Sequence, residues 1–446
     1  MRSTALLVPL LACACPQPDD TGHVALAARI DAGIGSLVWV SWEQAEQDTM
    51  VVEYRFDDGA WMSTPRVELE PGPQEILLLG IPFDAEVEIE LHKVVAFGVA
   101  EPLTTGIHTA APPPGLPQPN LLASEPELLD PATPWLLTSM DQPGQAGTPE
   151  ATWVIILDRA GRVVWARETP AFRLTMHPRI SADGHAILMD LNSHMGMFDR
   201  GAASQVQRVG IDGIVQRSWD TPGLHHPYTD LPDGSLAWGA WGDDLETLEI
   251  LDPAGAQRTL WACADFHAEQ GMPEANCSSN TLSWDPASER FLFSFYTTHT
   301  VVEIDGASGE TTRWFGQMPG GWGFDPQDSE FIWQHGAYMR EDGTLLVSMR
   351  APGGVEETVA REYSLDEHSQ TLRQTWSYGL GQGLYAPELG EAIRLPGGNT
   401  LLNYGTGTHI REVTAGGATA WELVFDSGSL MGRSTPIEDL YALLPQ

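Results

Sequence analysis

Three stretches of the chain set reactive side chains shortly before a turn and an apolar strand. Gly223-Leu224-His225-His226 precedes the turn Pro232-Asp233-Gly234-Ser235, and Trp333-Gln334-His335-Gly336 precedes Glu341-Asp342-Gly343-Thr344. Cys277-Ser278-Ser279-Asn280 stands in the same phase before Asp285-Pro286. Imidazole titrates near neutrality, so these histidines can act as nucleophile, proton carrier or metal ligand. One isolated histidine is usually a satisfied structural residue; two in one phase of a repeat point to a shared ring. The chain has no G-x-S-x-G elbow, no H-E-x-x-H, no Walker loop and no G-x-G-x-x-G. Asp243-Asp244 and Asp325–Asp328 lack the spaced oxygen ligands of a calcium loop and read as solvated turns.

The elements that must carry these residues repeat. A turn followed by an apolar strand recurs at ISADGHAILMD, DLPDGSLAWGA, SWDPASERFLFSF, MREDGTLLVSM and RLPGGNTLLNY; the turn positions 184, 234, 288, 343 and 398 step by 50, 54, 55 and 55. Between them lie strands that end near Trp165, Trp219, Trp261, Trp314, Trp376 and Trp421, most of them after a glycine turn. A period of about 50 residues built of about four strands is the arithmetic of a propeller blade. Separate sandwiches would repeat at roughly 90–100 residues. The expected fold is all-β: a six-bladed β-propeller over 120–446, preceded by a small β-sandwich. In a propeller, equivalent positions of successive blades share one ring about the axis, and ligands sit at the channel mouth.

Residues 23–110 alternate β-formers between turns and read as the sandwich. Within it, Leu77-Leu78-Leu79-Gly80-Ile81-Pro82 followed by Val87-Glu88-Ile89-Glu90-Leu91 resembles the end of a fibronectin type III module. Residues 111–119 (APPPGLPQP) read as a stiff polyproline linker. At the start, Arg2 and the apolar run Ala5–Ala12 read as a signal peptide over 1–14. Leu10-Leu11-Ala12-Cys13 resembles a lipobox, so Cys13 is expected to be lipidated, with 15–22 as a tether. That implies an exported protein, lipid-anchored at the outer membrane or cell surface, or otherwise periplasmic or secreted. In an exported chain Cys263 and Cys277 are expected to form a disulfide.

Asp plus Glu number 61 against 23 for Lys plus Arg, a formal net charge of −38. Such a charge repels phosphate backbones and anionic lipid, which argues against nucleic-acid partners and leaves membrane contact to the lipid anchor. With 42% hydrophobic residues the chain can build a core, and 45 Gly with 33 Pro favour short strands and turns over helices.

The order of these motifs resembles a known family. FIWQHGAYMREDGTLLVSMR (331–350), AREYSLDEHSQTLRQTWSYG (360–379) and EAIRLPGGNTLLNYGTGTHIREV (391–413), with HHPYTDLPDGSLAW (225–238), are similar to bacterial arylsulfate sulfotransferases. Those are exported six-bladed propellers that move a sulfuryl group between phenols without a nucleotide donor. The resemblance covers about residues 120–446. It implies a small aromatic sulfate donor, a phenolic acceptor, no cofactor and no metal. Carried over by residue, His335 is the histidine that becomes transiently sulfated and His226 a second catalytic histidine, working as acid and then base with a pKa near neutrality. His225, Asn280, Trp333, Arg350 and His409 are expected to contact substrate. Trp322 is a second candidate for stacking on the donor, Gly336 leaves room beside the ring, and His299 has no assigned place.

The chain also departs from the family pattern. Ser278 stands where the family has a histidine, Thr297 where it has an arginine, and Met349-Arg350 where it has Asp-Asn. Arg350 can replace the missing cation only if it points inward. Two readings follow: an arylsulfotransferase-like enzyme, or a propeller that binds or scaffolds without transfer.

Overall fold

A computed structural model describes residues 26–94, 101–143, 149–242, 245–426 and 430–445. The signal-like start with Cys13, the whole tether, the first three residues of the expected sandwich and Asp243-Asp244 lie outside the described residues. The chain divides into two compact units, residues 1–110 and 111–446.

In the first unit Ala27–Ile30, Val38–Gln44 and Gly72–Leu78 make one antiparallel sheet. Met62–Ser63, Asp48–Phe56, Glu86–Lys93 and Leu103–His108 make a second. Side chains alternate between the faces of a strand, so Val38, Val40 and Trp42 share one buried core with Val52, Tyr54, Val87 and Ile89. The Tyr54 hydroxyl donates to the Leu79 carbonyl at 2.7 Å.

The described residues of the second unit form six sheets, a six-bladed β-propeller. Blade 3 shows the plan: Leu224–Asp230, Leu236–Gly242, Leu245–Leu251 and Gln257–Ala262, each antiparallel to the next. The first strands of the other blades are Arg179–Ile180, Ser279–Asp285, Gly336–Met339, Glu391–Arg394 and, for blade 1, Thr435–Ile437 from the far end of the chain. Thr435–Ile437 pairs with Trp135–Pro143, so the last strand completes the first blade. Pro119–Ser124 in turn covers the outer edge of Thr419–Phe425 in blade 6, so the proline-rich run already enters a sheet at Pro119. Both ends of the ring are stitched to each other, which leaves few free sheet edges.

The tryptophan rhythm has a mechanical cause. All six tryptophans fall on the fourth strands of their blades. The indole N–H of Trp165 donates to the Ile211 carbonyl (2.7 Å), that of Trp261 to Thr311 Oγ1 (2.9 Å) and that of Trp376 to the Ala415 carbonyl (3.3 Å). Each acceptor lies at the last turn of the next blade. Trp421 closes the circle on the Arg159 carbonyl at 2.8 Å, 262 residues away in sequence. The hairpins between first and second strands turn on Gly184, Gly234, Gly343 and Gly398, with φ of +78°, +85°, +79° and +97°, where a side chain would be strained.

Candidate functional site

Four antiparallel strands bring the chain back to the end of the ring from which it started. Every first strand therefore enters from the same end, and the residues at those entries converge on the axis. One such residue comes from each blade: His177, His226, Asn280, His335, Glu391 and Arg433, all buried. His226 stands eight residues before Gly234, His335 eight before Gly343 and Asn280 eight before Ser288, so equal phase became equal height.

Arg433 is the hub. Its guanidinium donates to Tyr338 Oη (2.7 Å), the Asn280 carbonyl (2.7 Å), Thr281 Oγ1 (2.8 Å) and the His335 carbonyl, and lies 3.8 Å from Glu391 Oε2. Glu391 in turn accepts from Tyr338 Oη at 2.7 Å and from the Ser434 amide. A cavity of about 300 Å³ is bounded by His225, His226, Asn280, Tyr296, Trp333, His335 and Arg350. A larger one, about 790 Å³, meets Tyr338 and Glu391 and extends along Arg340 and Arg394 toward the turns at the ends of the first strands. In the larger cavity Arg340 and Arg394 both pair with Glu362. The smaller cavity holds the unsatisfied groups: His225 Nδ1, His226 Nδ1 and Arg350 Nε are buried without hydrogen-bond partners. Orphaned polar atoms are costly, and these can be met by a polar ligand.

Burial sets the charge states. It drives the His335 pKa down to about 3, helped by the Arg433 and Arg350 guanidinium groups and opposed by a hydrogen bond to the Trp333 backbone. His225 falls to about 3 through burial and the nearby His194. His226 lies well below its usual range through burial, then His225, Arg433, His177 and His335. Burial raises the Asp190 carboxyl to about 7 and that of Glu246 to about 8, against hydrogen bonds that hold them down. The chain's one lysine, Lys93, lies in the first unit; the propeller's fixed cations are therefore arginines. The cavity wall carries the Arg350 guanidinium and the Glu388 carboxylate beside imidazoles that burial keeps neutral, and the Arg433 guanidinium acts on His335 without lining the cavity.

No protein-family model matches the chain. No curated protein matches it either. Among solved structures, a protein of unknown function from Bacteroides caccae is similar over 67% of this chain and 98% of its own, at 14% identity and a TM-score of 0.44. Virginiamycin B lyase from Staphylococcus aureus covers 68% of this chain and 89% of its own, at 12% identity and 0.38. A 6-phosphogluconolactonase-like protein from Bacteroides fragilis covers 88% and 99%, at 13% identity and 0.39. The chemistry must be read from this chain's own residues.

The structure brings His225, His226, Asn280, Trp333, His335 and Arg350 to one cavity. Arg350 does point inward, stacked over Trp333 (4.9 Å) and Tyr385 (5.7 Å), with one guanidinium nitrogen on the Pro387 carbonyl. His409 is elsewhere: it opens the third strand of blade 6 and faces Glu422 at 4.0 Å. Trp322 packs against Phe315 in a core between blades 4 and 5. The space beside Gly336 belongs to packing, because a Cβ there would lie 2.9 Å from Ser348 Oγ and 3.2 Å from Glu391 Cβ. His226 is also far from the near-neutral pKa expected of an acid–base group, since burial and four cationic or potentially cationic neighbours disfavour its charge.

Ser278 and Thr297 serve the loop closed by the disulfide Cys263–Cys277. The Ser278 hydroxyl donates to Asn276 Oδ1 (2.8 Å) and its amide to Thr297 Oγ1 (3.2 Å), while Thr297 donates to the Asn276 carbonyl. His267 packs against both cysteine sulfurs. These three form one of two metal-like groupings among the described residues, the other being Glu53, Glu90 and His92 in the first unit. The joined sulfurs occupy the first.

Sequence reasoning missed Arg433, Glu391, His177 and Tyr296. His177, seven residues before Gly184, and Glu391, seven before Gly398, could have been found by extending the phase rule. Arg433 could not, because its blade is assembled from both ends of the chain.

Proposed function

We propose that the protein transfers a sulfuryl group from a phenolic sulfate ester to a phenol, with His335 carrying the group between them. One observation bears most of the weight: a buried imidazole on the cavity wall whose charge is disfavoured by burial and by the Arg433 and Arg350 guanidinium groups. The similarity to bacterial arylsulfate sulfotransferases supports the same reading through the residues of this chain alone. Sulfate oxygens repel nucleophiles, and fixed cations relieve that repulsion. The lone pair of His335 attacks sulfur, the S–O bond breaks, and the phenolate leaves. An acceptor phenol then loses its proton, attacks sulfur, and the S–N bond breaks to restore neutral His335. That proton passes by way of His226, whose depressed pKa hands it on at once, to solvent, and solvent returns one to the first phenolate.

Arg433 is saturated by protein acceptors and acts through its field; Arg350, with a free Nε, is the cation that can touch the sulfate. Trp333 and Tyr296 offer aromatic faces to the ring. A cavity of about 300 Å³ lies at the small end of ligand sites, which suits a one-ring donor. Because buried His226 is neutral and has no proton to give the leaving group, donors with acidic phenols should turn over fastest.

The test supplies a chromogenic aryl sulfate and a phenol to purified protein, beside His335→Ala and His226→Ala. Acceptor-dependent, ping-pong release that vanishes in His335→Ala supports transfer. A folded protein inert toward several donors and acceptors sinks it and leaves an anion-binding propeller. That second reading is favoured by Ser278 and Thr297, which are tied into a loop and do not bound the cavity.

We also propose export with lipidation at Cys13. Intact-mass analysis of the membrane-extracted protein should show a diacylated cysteine as the first residue; an unmodified start elsewhere refutes it.

A further inference from the structure

We infer that His299 is a positioning residue that fixes the tautomer and aim of His335, an inference that rests on the transfer reading above. The four residues Tyr296-Thr297-Thr298-His299 join the second and third strands of blade 4 at the cavity end. His299 closes that turn at φ +50°, a left-handed position that Gly or Asn would occupy with less strain.

The ring reaches across to blade 5. Its Nδ1 accepts the backbone N–H of Trp333 at 3.0 Å, and the two rings meet edge to face at 5.4 Å. Trp333 is itself left-handed, at φ +49°, where a bulky aromatic is a true outlier. Strained residues of this kind persist only when their surroundings hold them, and they cluster at functional sites. Trp333 stands two residues before His335, and its backbone is the one hydrogen-bonding group that favours a proton on the His335 ring. A carbonyl there keeps the proton on one ring nitrogen and leaves the lone pair on the other. Tyr296 opens the same turn that His299 closes, and its ring lies parallel to that of His335 at 6.4 Å. One turn thus ties both aromatic walls of the cavity to the reacting histidine.

The next strand makes room for the turn, as it does in blade 5, where Gly379 stands at φ +120° against the Thr358 carbonyl. Gly316 lies next to the His299 turn at φ +118°, and a Cβ there would come within 2.0 Å of the His299 carbonyl oxygen. The neighbouring strand is cut back where the His299 backbone passes.

Three substitutions separate positioning from mere turn-making. His299→Leu removes the acceptor. His299→Gly removes it but relieves the backbone. His299→Asn keeps an acceptor oxygen near the place of Nδ1 and tolerates the left-handed conformation. The expected result is a loss on the order of 10- to 100-fold in kcat for Leu and Gly, with KM for the donor little changed and Asn restoring most of the rate. Nitrogen-15 histidine NMR supplies a readout that needs no turnover. His335 should show one neutral tautomer in the wild type and His299→Asn, and a mixture in His299→Gly, whose turn has no reason to unfold. Gly matching Asn in rate, or an unchanged His335 tautomer in Gly, overturns the inference. If no variant and no wild type transfers sulfate, the transfer reading fails, yet the tautomer comparison still decides the role of His299.

Discussion

His335→Gln probes the charge state on which the proposed chemistry depends. The folded pKa of about 3 lies below the value of about 6.5 expected when the ring is exposed. Between those values the unfolded chain binds a proton that the folded state refuses, so this histidine costs stability as pH falls from about 6.5 toward 3. From pH 7 to pH 5 linkage gives about 2 kcal/mol. Asp190 and Glu246 work in the opposite direction. Their folded values, about 7 and about 8, exceed those of free carboxylates, so the folded state holds the extra proton and gains stability on acidification. Each contributes about 2 kcal/mol over the same interval, which hides the histidine in the wild-type profile. The difference between variant and wild type cancels these terms. Urea unfolding of the propeller, followed by tryptophan fluorescence at pH 7 and pH 5, should show His335→Gln improving relative to wild type by about 2 kcal/mol on acidification. A flat difference would mean that His335 is already charged or well hydrated, and the neutral nucleophile would be lost with it.

Arg433→Met should cost about 3–5 kcal/mol in the same urea assay, because it strands Glu391 and four oxygen acceptors in the interior; a loss under about 1 kcal/mol would remove it as the hub. Trp421→Phe deletes the indole N–H that closes the ring on Arg159 and should cost about 1–2 kcal/mol, while an unchanged midpoint would show the latch to be incidental. Replacing both Cys263 and Cys277 by Ser opens a loop with a sequence separation of 14 and should cost about 3 kcal/mol if chain entropy governs. Equal midpoints for the double variant and the oxidised wild type would contradict that account.

The sequence by itself determined the repeat and much of the ring. Turns spaced by 50 to 55 residues and a tryptophan on the fourth strand of every blade are local signals, since each reports a backbone conformation or a contact that recurs at fixed phase. Phase alone was enough to bring His226, Asn280 and His335 to one height, because a propeller turns equal sequence offsets into equal positions on the axis. Tertiary structure decided what those residues are. The pKa of His226 depends on burial and on Arg433, more than 200 positions away in sequence, which no local pattern encodes. Arg433 reaches the axis only because the last strand completes the first blade. Gly336 looked like space for a substrate until Ser348 and Glu391 were seen to fill it. His409 kept its chemistry but faces Glu422, because side-chain direction along a strand flips with each residue and rotates with the blade. Spacing fixes which residues arrive at one end of the ring; burial and long-range contact fix which of them are charged, which are bonded, and which are left free to meet a ligand.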